Sequence, residues 1–251
     1  MFNLRRRAGE RPFLVGHRGA MAVAPENTIP SLEAGLAGGA DILELDVQLT
    51  ADGQVILFHD TNLLPKTGIP GQIRDYDADF LRGLDVGRYF HEAYTGLHMP
   101  LLDEVLTWAK GRTPLMIEIK SGPAIFDPEL DRRTVSLIEK HDMADQVVII
   151  SFDHLALRRI KQANPAIAVS VMYTGRLLDP LLLTQGLAVD VISPATDWLT
   201  PEDVQRIHEA GYACSPGGFW WDYPTLLAWG VDSISSNDPA SVKIWSDVGG
   251  S

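Results

Sequence analysis

Four short apolar runs in this sequence end in, or are interrupted by, groups that can carry charge or move protons. The first ends in His17-Arg18-Gly19, and the second carries Glu44 and Asp46 within Ile42-Leu43-Glu44-Leu45-Asp46-Val47. A third ends in His59-Asp60, and a fourth carries Glu118 and Lys120. Alternate residues of a strand share a face, so Glu44 and Asp46 point one way while Leu43, Leu45 and Val47 point the other. Two carboxylates buried together are unfavourable unless a cation or a proton lies between them. The plainer reading is that both pair with basic residues of neighbouring strands. If Glu118 joins them, the site is hard and oxygen-rich, which suits Mg²⁺ or Ca²⁺ better than Zn²⁺. Histidine is the side chain suited to proton transfer near neutral pH. His17 and His59 are therefore candidates for an acid and a base, with the two roles unassigned between them. Arg18 can fork onto a phosphate and Lys120 can add a point charge. Asp60 either orients a neighbour or caps a turn. The remaining histidines, His91, His98, His141, His154 and His208, fall in loops or on helical segments and read as surface or packing residues.

These groups need strands to hold them. Runs at 13–16, 42–47, 54–58, 115–119, 147–150, 168–172, 189–192, 212–214 and 231–234 alternate with amphipathic stretches, as in βα units around a parallel sheet. Nine runs exceed an eight-stranded barrel by one. The connection Leu49-Thr50-Ala51-Asp52-Gly53 is too short for a parallel crossover, so 54–58 is read as the returning arm of a hairpin. The fold class predicted is α/β, a (β/α)8 TIM barrel with a β-hairpin and a lid-like insertion, 60–100, after the second barrel strand. The domain spans 1–251. Active sites of such barrels lie at the C-terminal ends of the strands, where the charged groups fall. Asn27 or Thr28 caps a helix containing Pro30, and Thr200 opens another.

Composition narrows the partners. The chain has 251 residues, 45% hydrophobic and 22% charged, with a formal net charge of −12, which argues against a nucleic-acid surface. No apolar run is long enough to span a bilayer. Arg5, Arg6 and Arg7 are not followed by an apolar segment of the secretory type, so the start is expected to be a frayed end and the location cytoplasmic. The single cysteine, Cys214, excludes intrachain disulfides and reads as a buried thiol.

The ordered pieces Gly16-His17-Arg18-Gly19, Pro25-Glu26-Asn27-Thr28, Glu44-Leu45-Asp46-Val47, Thr50-Ala51-Asp52-Gly53, His59-Asp60 and Glu118-Ile119-Lys120 resemble the glycerophosphodiester phosphodiesterase family. The resemblance is tight over the first half and looser from Ser151-Phe152-Asp153 to Gly230-Val231-Asp232. It implies a TIM barrel that hydrolyses glycerophosphodiesters to glycerol 3-phosphate and an alcohol, by attack of a glycerol hydroxyl and opening of a cyclic phosphate. By that likeness Glu44, Asp46 and Glu118 bind a divalent cation, His17 and His59 are acid and base, and Arg18 and Lys120 hold the phosphate. Glu26 and Asn27 hydrogen-bond near the site. The sequence departs from the family where Arg-Thr-Thr is common, reading Lys66-Thr67-Gly68. It departs again where a Trp-Thr-Val-Asn strand end walls the glycerol pocket, reading Ala213-Cys214-Ser215-Pro216-Gly217. Trp220 or Trp221, just beyond, could rebuild that wall or simply pack. A phospholipase D-like barrel acting on lysolipids or choline lipids, and an idle barrel that only binds a phosphodiester, are the competing readings.

Overall fold

The structure is a computed structural model that describes residues 2–7, 9–122, 127–218 and 223–242. Eight parallel strands form the barrel: β1 (Phe13–Gly16), β2 (Ile42–Leu49), β4 (Leu115–Ile119), β5 (Val147–Ser151), β6 (Ala168–Tyr173), β7 (Val191–Pro194), β8 (Ala213–Cys214) and β9 (Ser233–Ser236). They are hydrogen-bonded in the order β8-β7-β6-β5-β4-β2-β1-β9. The seam between β8 and β9 is crossed by the Asp232 N–H donating to the Cys214 carbonyl at 2.8 Å and by a Ser215–Ser233 hydroxyl contact of 2.5 Å. The ninth strand, β3 (Val55–Leu57), runs antiparallel to β2, as the short connection predicted.

Helices follow the barrel strands: α1 (Ile29–Ala37), α4 (Leu102–Ala109), α5 (Pro128–Lys140), α6 (His154–Ala163), α7 (Pro201–Glu209), α8 (Tyr223–Trp229) and α9 (Pro239–Val242). After β6 a 3₁₀ turn, Pro180–Thr184, takes the helix's place. The outward residues Leu43, Leu45, Val47, Ile117 and Ile149 join the helices' apolar faces in the main core. Strands β7 and β9 begin two residues later than the apolar runs suggest. Val189 and Val231 pack in that outer core ahead of the ladder, which starts on β9 at the Phe13–Ser233 pair.

The inserted segment carries two short helices, α2 (Leu64–Thr67) and α3 (Ala78–Arg82), around its own small core of Ile56, Phe58, Leu63, Ile73, Leu81, Val86 and Met99. Of the two cap candidates, Thr28 caps α1: its hydroxyl accepts from the Ser31 N–H, and Asn27 turns instead toward β2. The expected frayed end is corrected for residues 2–7: Leu4 is 1% exposed and packs with Val15, Ile42, Val148, Ala168, Val191 and Ala213 inside the barrel. These residues lie toward the N-terminal ends of the strands, where an open barrel would admit water, so an apolar plug is favoured. The Arg6 N–H fastens the plug to the Asp232 carboxylate at 3.0 Å. Cys214 is buried, as expected. Among the described residues no helix is long and apolar enough to cross a membrane.

Candidate active site

Strand alternation puts Ile42, Glu44, Asp46 and Gln48 of β2 on the inner face, and Met116, Glu118 and Lys120 on that of β4. The β2–β4 register sets Asp46 directly beside Glu118. One carboxylate oxygen from each of Glu44, Asp46 and Glu118 lies within 4.8 Å of the others. All three are buried or nearly so, at 5%, 1% and 9% exposure. Burial, then repulsion from Asp46 and Glu118, lifts the Glu44 carboxyl well above the usual carboxylate range. Burial and Asp46 also raise Glu118. Asp46 goes the other way: burial opposes its ionisation, but Lys120, His59 and Arg18 outweigh it and hold the carboxyl low.

The loop after β1 supplies His17 and Arg18. It can turn here because Gly19 takes φ +87° and passes so close to α1 that a Cβ would meet the Ser31 carbonyl oxygen at 2.5 Å. Arg18 itself is left-handed, with φ 49°, and its N–H donates to Glu44 Oε2 at 2.8 Å. A non-glycine residue held there is strained, and the bond to a metal-type carboxylate is what the strain secures. The Arg18 guanidinium donates to Glu26 at 2.9 Å and lies 3.4 Å from Asp46. Lys120 lies 2.8 Å from Glu118 and 3.3 Å from Asp46. The plainer expectation, that both β2 acids pair with basic residues of neighbouring strands, is met for Asp46 but not for Glu44, which takes the Arg18 backbone N–H instead.

Such pairing is not sufficient. Five carboxylates (Glu26, Glu44, Asp46, Asp60, Glu118) are interleaved with only three fixed cations (Arg18, Lys66, Lys120). Asp46 Oδ1 is buried, accepts no hydrogen bond and lies 3.3 Å from the Lys120 ammonium. With all five carboxylates ionised, a deficit of two positive charges around this all-oxygen cluster fits a divalent hard cation.

The histidines flank this cluster. The His17 ring is 3.9 Å from Glu44, and its Nδ1 lies 2.7 Å from the Asn237 side-chain oxygen. Burial, reinforced by the Arg18 charge, lowers its pKa to about 4, so the ring is neutral at pH 7. His59 Nδ1 lies 2.8 Å from Asp60 Oδ1, so the Asp60 side chain meets its neighbour's ring. The Gln48 amide donates to the Phe58 and Asp60 carbonyls at 2.8 and 2.9 Å and so pins the returning hairpin arm against β2. Asn27 exchanges two hydrogen bonds with Asp46, at 2.8 and 3.0 Å.

Gln48, Lys66 and Asn237 are site residues that the sequence reading passed over. Gln48 continues the Glu44, Asp46 alternation, and Asn237 ends a strand, so both carried a signal. Lys66 carried one too, since it stands where the family commonly has the Arg of Arg-Thr-Thr, but no role was drawn from it. Trp220 lies outside the described residues. His91, His98, His141, His154 and His208 stay away from the cavity: His141 meets Asp103 and His208 meets Asp232.

The cavity at this mouth has a volume of about 350 Å³, enough for a small ligand. His17, Glu44, His59, Glu118 and Lys120 form one wall, and Met116, Ile150, Phe152, Met172, Tyr173 and Pro194 much of the other.

The sequence pattern of the glycerophosphoryl diester phosphodiesterase family matches residues 17–241. A glycerophosphodiester phosphodiesterase of Bacillus altitudinis is 34% identical over 237 residues, covering 92% of this chain and 97% of its own. The crystal structure of a glycerophosphoryl diester phosphodiesterase from Silicibacter pomeroyi superposes with a TM-score of 0.85 at 26% identity, over 94% of this chain and 93% of that one. A phosphodiesterase of Oleispira antarctica, solved with its product sn-glycerol-3-phosphate, shares the fold with a TM-score of 0.86 at 24% identity, over 93% of this chain and 96% of that one. Two histidines and three carboxylates on the rim of one barrel, together with this match over most of the chain, place the protein in the glycerophosphoryl diester phosphodiesterase family, and with it among the phosphoric diester hydrolases.

Proposed function

We propose that this chain hydrolyses glycerophosphodiesters to sn-glycerol 3-phosphate and an alcohol, with His17 and His59 as its acid–base pair. The observation that carries the reading is the convergence of both histidines and the Glu44–Asp46–Glu118 cluster on one small cavity. The activity of the Bacillus altitudinis relative supports the substrate class.

Glu44, Asp46 and Glu118 would hold one divalent cation, Mg²⁺ or Ca²⁺, which when bound lowers the pKa of a ligated hydroxyl and offsets phosphoryl charge. The chain's own groups supply the rest. His17, neutral because it is buried beside Arg18, can take the proton of the attacking hydroxyl. Asn237 at its Nδ1 fixes the ring with Nε2 as the basic nitrogen. That leaves His59 to protonate the departing alkoxide, while Asp60 balances the charge of its ring when both nitrogens carry protons. Arg18 and Lys120 sit among the carboxylates as fixed positive charges, placed to hold phosphoryl oxygens. Glu26 meets Arg18 at 2.9 Å and Lys66 at 2.6 Å, contacts that would aim Arg18 at the substrate.

The test is release of glycerol 3-phosphate from glycerophosphocholine, glycerophosphoethanolamine and glycerophosphoglycerol by metal-stripped protein, with and without Mg²⁺ or Ca²⁺. His17→Ala and His59→Ala should each lower kcat by at least about 100-fold with the fold retained. Either variant turning over at the wild-type rate removes that residue from the pair.

The apolar wall supports a second reading, cleavage of a lysolipid at the same phosphodiester. Phe152 is 49% exposed at that wall, and an acyl chain would cover it. A kcat/KM for lysophosphatidylcholine above that for glycerophosphocholine, falling on Phe152→Ser, selects this substrate; the reverse order selects the soluble diesters.

A further inference from the structure

One charged side chain of the site has no part in the reaction proposed above. Lys66 stands on α2, a single turn with no buried residue of its own, yet its side chain is only 11% exposed. Its Nζ lies 2.6 Å from Glu26 Oε1 and 2.8 Å from Asp60 Oδ2. The ammonium also sits 5.3 Å from the centre of the Phe58 ring and 5.8 Å from that of Tyr89. Drawing an ammonium out of water is costly unless several partners replace its hydration, and here four do.

We infer that Lys66 is a positioning residue: it locks Asp60, and through Asp60 the His59 ring, in one orientation and one tautomer. The inference rests on the role given to His59 above. Asp60 offers two oxygens, and both are used. Oδ1 takes the His59 Nδ1 proton at 2.8 Å, and Oδ2 takes Lys66. A carboxylate held at both oxygens cannot rotate about its terminal bond, so the plane of the ring attached to it is set as well. Without the ammonium, Asp60, whose side chain is 32% exposed, would be free to turn toward solvent. The proton of the neutral His59 ring would then distribute between the two nitrogens, and Nε2 would be bare, ready to take up the proton it later delivers, in only part of the molecules. The same ammonium shares Glu26 Oε1 with Arg18, so one side chain of the insertion ties the supports of His59 and Arg18 together.

If Lys66 served only to neutralise two acids, its loss would lower stability and leave the ring alone. The two cases separate by ring nitrogen NMR of the full chain, with the His59 signals assigned by their absence from His59→Gln. Wild type should show one His59 tautomer, protonated at Nδ1. Lys66→Met, which keeps the stem over the two rings, should show a mixture, and Lys66→Arg should restore the single form. On glycerophosphocholine, Lys66→Met should lower kcat by about tenfold or more with KM changed by less than about threefold, the loss expected of one charged hydrogen bond acting on the reacting group. In the Asp60→Asn background the same change should cost much less, leaving only what the Glu26 contact contributes. An unaltered His59 tautomer in Lys66→Met, or a rate loss that merely multiplies that of Asp60→Asn, overturns the proposal. The spectra are read without substrate, so a tautomer shift alongside a fully active His59→Ala would refute the acid–base assignment and leave the positioning intact.

Discussion

Cation binding should expel a proton from the carboxylate cluster. Glu44 is held well above the ordinary carboxylate range by burial and by its neighbours Asp46 and Glu118, and Glu118 is raised in the same way. In the metal-free protein these groups therefore hold their protons to higher pH than a solvated glutamate does, whereas a ligand carboxylate must be ionised. The sign follows directly. A raised pKa means the free site holds its proton more tightly than a solvated glutamate, so cation and proton compete. Apparent affinity should rise with pH up to the raised pKa and level off above it. Below that point the slope is about tenfold per pH unit, or ~1.4 kcal/mol. Isothermal titration of Mg²⁺ at pH 7 in phosphate, PIPES and Tris counts the protons from the dependence of the heat on buffer ionisation. Net proton release on binding is expected for wild type, and less of it for Glu44→Gln. At a hundredfold excess over Kd the cation should stabilise the fold by about 2.7 kcal/mol, a rise in Tm of roughly 5–10 °C for a chain of this size. Mg²⁺ that binds with no proton released, or release that persists undiminished in Glu44→Gln, would refute the assignment of the site.

Asn237→Ala frees the His17 ring and should lower kcat about three- to tenfold, the range for one lost hydrogen bond to a neutral ring. Asn237→Asp instead places a carboxylate at Nδ1 and should raise the His17 pKa from about 4. The basic form is then lost at higher pH, so the acid limb of the pH profile of kcat/KM moves up by about a unit; a limb that stays in place removes His17 as the base. Leu4→Ala opens the plugged end of the barrel and should cost about 2–5 kcal/mol by denaturant melting, the range for deleting a fully buried leucine. The rate per folded molecule should be unchanged, since the plug and the catalytic mouth lie at opposite ends.

Much of this protein is written in its local pattern. Period-two alternation in Ile42-Leu43-Glu44-Leu45-Asp46-Val47 settles which side chains face inward, because a strand has only two faces. The shortness of Leu49-Thr50-Ala51-Asp52-Gly53 forces an antiparallel return, since a parallel crossover needs a dozen residues. Polar residues at strand ends mark the catalytic mouth, because a parallel barrel brings all those ends to one side. Other outcomes depended on closure. Composition made Arg5-Arg6-Arg7 look like solvent-exposed chain, yet the open base of the finished barrel draws Leu4 inside. Asn27 sits where a helix cap would serve, but β2 comes close enough for Asp46 to claim it. Lys66 and Glu26 are 40 positions apart, and His17 and Asn237 are 220 apart. No periodicity couples residues at such separations. The sequence by itself determined the elements, their inward faces and the chemistry of the rim. The tertiary structure decided which distant side chain orients each reacting group, because a hydrogen bond a few ångströms long selects its partner only after the strands and the insertion have been packed.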